Sequence, residues 1–134
     1  MKVALRTILA LVAGAVTAFL VIACLEQVGS ALHPPPPGLD MHDRAAMRAF
    51  IATLPWTAFV LVLIAWGLGV CLGGYLAGRL APRAPVLHAS AITMLVALAA
   101  VANLLAIPHP AWFWASALIV IAAAGHASRW LLGR

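Results

Sequence analysis

Glu26 carries the most chemical promise in the chain. It lies about one turn inside the end of a long apolar run, in "AFLVIACLEQVG", a setting in which ionisable residues are costly and usually functional. Asn103 falls at a similar depth in a later apolar run, and His33 and His109 close the same side. A carboxylate, an amide and one or two imidazoles could form a protonation or ligand site, because burial of a carboxylate favours its neutral form. The competing reading makes Glu26 an anchor that reaches outward, or that hydrogen-bonds Asn103 or Arg48 to fix helix positions.

Glu26, His33, His42 and His109 together have zinc-ligand chemistry, but they lack the diagnostic histidine spacing, so no metal is expected. Cys24 and Cys71 lie in different apolar runs without a CxxC pattern and read as small hydrophobes. His88 and His126 fall near the opposite face, where they could neighbour each other or act as polar anchors. Trp66, mid-way along an apolar run, reads as a packing residue. No Ser/His/Asp order, nucleotide-binding loop or haem motif is present in the sequence, so neither an enzyme nor a cofactor is expected.

The elements that hold these residues follow from composition. Of 134 residues, 66% are hydrophobic and 8% charged, and the mean hydropathy is +1.10. A soluble domain of this size could not hide so much apolar surface. The apolar runs are also long enough to cross ~30 Å of hydrocarbon as helices. The net charge of +5 has no basic face with interleaved aromatics, so nucleic acid is not a partner. "MKVALRTILALVAGAVTAFLVIAC" has features of a lipoprotein signal, yet the run continues past Cys24 and reads as a first membrane span.

Breakers divide the chain into spans at about 5–29, 55–80, 86–107 and 111–132, separated by "HPPPPGLD", "APRAP" and "PHP". The expected fold is all-α, a single membrane domain over 1–134 built as a four-helix up-down bundle. Lys2, Arg6, Arg79, Arg83, Arg129 and Arg134 fall on the side of the termini, and only Arg44 and Arg48 on the other. That asymmetry predicts cytoplasmic termini and argues against dual topology, with Trp56, Trp112 and Trp114 at the outer interface and Trp130 at the inner one. Between the first two spans, Pro34 to Pro37 impose a stiff extended turn, which Gly38 releases. Asp40 is the expected N-cap of a short surface helix within about 33–54. Its Met47, Phe50, Ile51 and Leu54 recur at helical spacing, so one face of that helix is apolar.

The second span contains "WGLGVCLGGYLAG", with Gly69 and Gly73 four apart and Gly74 and Gly78 four apart. Small residues at that spacing let helices approach closely. They predict packing against Gly14 and Ala18 of the first span or against the alanine-rich third, with a homodimer seam as the alternative.

"LEQVGSALHPPPPGLD", "LPWTAFVLVLIAWGLGVCLGGYLAGRLA" and "ANLLAIPHPAWFWASAL" together resemble a family of small bacterial four-span membrane proteins. The resemblance covers most of the chain. It implies an inner-membrane location and the same four-helix plan, and it implies no activity. The size and the first-span glutamate are also similar to small multidrug resistance transporters, as analogy only. Here the glutamate is near one end of its span, the charge bias is strong, and a surface helix is added. The small fluoride channels match no better, since no polar break interrupts the third span at mid-depth. The expected function is therefore a non-enzymatic scaffold or accessory subunit embedded in lipid, as a homodimer or within a larger membrane complex. The alternative is a minimal proton-coupled transporter or channel using Glu26.

Overall fold

The computed structural model describes residues 2–134, which form five α-helices. They are α1 (Lys2–Leu32), α2 (Arg44–Thr53), α3 (Trp56–Leu80), α4 (Pro85–Ala106) and α5 (Ala111–Leu132). All but α2 are long and apolar enough to cross a membrane, so the chain is a multi-pass membrane protein built as a four-span helical bundle. α1 runs to Leu32, three residues beyond the expected end of the first span, so Glu26 sits deeper from the helix end than one turn.

α3 is the centre of the bundle and packs on α1, α4 and α5, while α1 also touches α4. On α1 the buried residues are Ala10, Gly14, Ala18 and Ile22, spaced by four. On α3 they include Ala65, Trp66, Gly69, Gly73 and Ala77. The two stripes meet antiparallel. A methyl on Gly73 would lie 2.6 Å from the Gly14 carbonyl oxygen and 2.7 Å from the Ala18 Cβ, and one on Gly14 would lie 2.6 Å from the Ala77 Cβ. The backbones touch because no side chain separates them, which is how lipid-embedded helices gain dispersion contact. Gly74 faces Ser128 of α5 and the Ala89 carbonyl of α4, and Gly78 faces Leu132 and the Pro85 carbonyl. Gly69, Gly73, Gly74 and Gly78, the two spaced pairs, are therefore all buried in packing within the chain, while Gly67, between them and Trp66, is only partly buried.

The proline loop closes as a turn over Pro36 to Leu39. The Leu39 N–H donates to the Pro36 carbonyl at 3.2 Å, and Gly38 takes the left-handed φ of +80° that this turn type requires after a proline. Asp40 does not cap the surface helix. Its carboxylate accepts from the His42 N–H at 2.8 Å, while Asp43 is the N-cap, accepting from Ala45 N–H at 2.8 Å and Ala46 N–H at 3.3 Å. The physical reason is reach: the cap must sit two or three residues before the N–H groups it satisfies, and the helix starts at Arg44. Met47 and Ile51 of α2 are buried in the common core cluster, with Leu54 packed against it, so the apolar face of α2 rests on the bundle.

Candidate functional site

Glu26 continues the four-residue stripe of α1, one step beyond Ile22, and so points at the same helix as the glycines below it. The antiparallel register sets Trp66 of α3 opposite. The Trp66 indole N–H donates to Glu26 Oε1 at 3.1 Å, a bond strengthened by the acceptor's charge when the carboxylate is ionised. This replaces the expected partners: neither Asn103 nor Arg48 bonds Glu26 among the described residues. Trp66 is 4% exposed, so it is both a packing residue and the donor that holds the carboxylate.

Glu26 and Asn103 do share one space. They line a cleft of about 180 Å³ together with Trp66, Phe19, Ile22 and Val96. That volume holds a few water molecules or a small ion, and its walls are apolar except for the carboxylate, the indole N–H and the amide. His33 and His109 do not line it. His33 is half-buried at the end of the α1 backbone, its N–H donating to the Gly29 carbonyl at 2.9 Å. The His109 ring stacks on Phe113, centroids 4.9 Å apart with 13° between planes, and its Nδ1 donates to the Ile107 carbonyl at 2.9 Å. Phe113, fully buried, also meets Trp66 at 5.8 Å. The expected four-residue constellation thus divides into a Glu26–Trp66–Asn103 cleft, a His109 connected to Trp66 through the Phe113 ring, and a His33 apart at the end of α1.

The remaining candidates scatter. His42 is exposed and pairs with Asp40 at 3.5 Å, and no group of three or more metal-ligating side chains converges among the described residues. His88 is buried, with Nδ1 on the Ala84 carbonyl at 3.1 Å and Nε2 without a partner. Since a carbonyl only accepts, Nδ1 carries a proton. His126 is exposed and no hydrogen bond joins it to His88 among the described residues. Cys24 faces outward from the bundle, while Cys71 is partly buried.

A larger cleft lies under α2. About 710 Å³ in volume, it is bounded by Arg44 and Arg48 of α2, by His109, and by Trp56, Trp112 and Trp114 at the starts of α3 and α5. Burial lowers the His109 pKa below the ordinary imidazole value of 6.5, and the Ile107 bond offsets part of that. Arg44 Nη2 donates to the Leu105 carbonyl at 3.3 Å, one of the open carbonyls that end α4, so a cation complements that helix terminus. The sequence alone assigns these arginines to topology, with Arg48 also a candidate partner of Glu26, and these tryptophans to an interface belt. The signal for a shared site is present: Arg44 and Arg48 lie one helical turn apart, and α3 and α5 each carry tryptophan in the first turn. Trp66 was missed as Glu26's partner, although aligning the stripes of α1 and α3 in antiparallel register brings them together. No protein-family model, curated protein or solved structure matches the chain.

Proposed function

We propose that the protein is a non-enzymatic membrane scaffold or accessory subunit, whose work is to present a rigid four-helix surface in the bilayer. One observation carries this reading. The single carboxylate within the spanning helices, Glu26, is tied to the neighbouring helix by Trp66, directly above a seam where α1 and α3 are in backbone contact. A carboxylate used in this way fixes the register of two helices and stays where it is. The asymmetry of basic residues supports termini in the cytoplasm, and the family resemblance supports a bacterial inner membrane. Association with a second copy or a larger complex would use the lipid-facing sides of the helices, because Gly69, Gly73, Gly74 and Gly78 are taken up inside the bundle.

The Glu26–Asn103 cleft favours one second reading, a minimal proton-coupled transporter or channel in which Glu26 carries the proton. Proteoliposomes loaded with a pH-sensitive dye separate the two. The scaffold reading expects the same proton flux from the wild type and from Glu26→Gln under an imposed pH gradient. It also expects Glu26→Gln to keep its thermal stability, because the amide oxygen still accepts from Trp66. A flux present in the wild type and abolished in Glu26→Gln overturns the scaffold and establishes the transporter.

A further inference from the structure

We infer that the cleft under α2 is a binding site for a phospholipid with an anionic headgroup, the phosphate held by Arg44 and Arg48 and the upper acyl chain lying on the apolar floor. The inference does not rest on the scaffold reading, since either a scaffold or a transporter could hold such a lipid.

The cleft's size is the first support: about 710 Å³ is within the ordinary range of small-molecule sites. Its chemistry is divided as an amphiphile is divided. The apolar lining is Phe59 and Leu104 on the floor, with Ile51 of α2 above them, each buried. The roof carries the two arginines, both exposed, and neither forms an ion pair among the described residues. The nearby acids are engaged elsewhere, Asp43 on the α2 cap and Asp40 on His42. Arg44 gives one N–H to Leu105 and keeps four, while Arg48 has its whole guanidinium fork, the geometry that matches phosphate oxygens.

The location decides between a lipid and a soluble anion. Trp56, Trp112 and Trp114 border the cleft at the ends of membrane-spanning helices, where tryptophan settles at the level of lipid headgroups. α2 lies against the same end of the bundle, its Met47 and Ile51 buried in the protein core, so its two arginines are held beside those tryptophans. A phosphate at the arginines would therefore be at headgroup depth, with its acyl chain directed at the floor. A free phosphate would satisfy the cations and leave that apolar floor unused.

The test is native mass spectrometry of the purified full chain in detergent, titrated with dioleoyl phosphatidylglycerol or dioleoyl phosphatidylcholine. The expected result is retention of phosphatidylglycerol at concentrations on the order of tenfold lower than phosphatidylcholine, as two interfacial arginines should give. Arg44→Gln/Arg48→Gln should lose that preference, and Arg44→Lys/Arg48→Lys, which keeps the charge without the fork, should retain only part of it. Arg48→Gln alone, which leaves the Arg44–Leu105 bond in place, should lose several-fold, so that a displaced α2 does not decide the outcome. Arg79→Gln/Arg83→Gln, at the far end of the bundle, should change nothing. Equal retention of both lipids, or a preference that survives in Arg44→Gln/Arg48→Gln, overturns the inference. So does complete displacement of the lipid by millimolar inorganic phosphate, which would make this a site for the free anion.

Discussion

The two ends of the bundle are built on opposite principles. At the end bearing the termini, α1 and α3 approach until the Gly14 and Gly73 backbones leave no room for a Cβ. Toward α2 the same helices carry Glu26, Trp66 and Phe59, and rings take over from glycines: Phe59 meets Phe113 at 5.6 Å and Trp112 at 5.6 Å. Glycine contact gives a closed, rigid seam. Aromatic packing fills the other end with rings, and two clefts lie among them. In a bundle this small, residue size along α3 decides which half is a clamp and which half can hold a ligand.

The clamp should break most sharply at Gly73. A methyl there meets backbone atoms of Gly14 and Ala18, which cannot rotate away as a side-chain end could. Gly73→Ala should cost about 1–3 kcal/mol and Gly73→Leu more than that, read as lost thermal stability in detergent. Gly133→Ala is the contrast, because its Cβ would find nothing nearer than 3.6 Å and stability should not change. If Gly73→Leu is as stable as the wild type, the seam is not a clamp and the distinction between the two ends fails.

Trp66 stands at the border between the two ends. Trp66→Phe keeps most of the ring but removes the only hydrogen bond that Glu26 accepts among the described residues, so the half-buried carboxylate loses its partner. The expected loss is about 1–3 kcal/mol. In a Glu26→Leu background the same Trp66→Phe change should cost much less, and that difference measures the coupling. Equal costs in both backgrounds would make Trp66 a packing residue and no more.

How legible the molecule was follows the same division. The spans, their breakers and the apolar face of α2 are periodic features, and periodicity survives in any tertiary setting. The pairing of α3 glycines with Gly14 and Ala18 is also local chemistry, because only small residues permit it. What depends on register was not legible residue by residue. Glu26 met Trp66, not Asn103, because α1 continues to Leu32 and its stripe is matched to α3, with α4 only flanking it. His109 points into the Phe113 stack because Pro108 and Pro110 fix the turn on both sides. Asp43 displaced Asp40 as cap because helix α2 starts later than its first polar residues suggest. The arginine–tryptophan cleft joins residues from α2, α3 and α5, and no single stretch of sequence displays it.

At the open end, the roof can be loosened without touching the clamp. Asp43→Ala removes the carboxylate that accepts from Ala45 and Ala46, which should cost α2 about 1 kcal/mol. Faster amide hydrogen exchange over Arg44–Thr53, with no change along α1 and α3, is the expected signature. Asp40→Ala removes only the acceptor for His42 N–H and should be milder. Equal protection of α2 in the wild type and Asp43→Ala would mean that Met47 and Ile51 alone seat the helix.

The smallest effect expected is that of pH on the turn beneath the cleft. His109 is half-buried between Pro108 and Pro110, stacked on Phe113. Desolvation pulls its pKa below 6.5, partly offset by the Ile107 carbonyl. An unfolded chain therefore binds the His109 proton at a higher pH than the folded one does. By linkage, the stabilisation is complete above about pH 6.5 and is lost as pH falls from there through the lower folded value. Protonation would also place a third positive charge in a cleft that already holds Arg44 and Arg48. The thermal stability of the wild type should thus fall more steeply on acidification below pH 6.5 than that of His109→Asn, with the difference vanishing above pH 7. Because His33, His42, His88 and His126 remain in both proteins, only the difference belongs to His109. Tryptophan fluorescence should report the same transition locally, since Trp112 and Trp114 border that cleft. Parallel acid profiles for the two proteins would mean that the turn accepts the charge without cost, and that the open end is solvated down to the Phe113 ring.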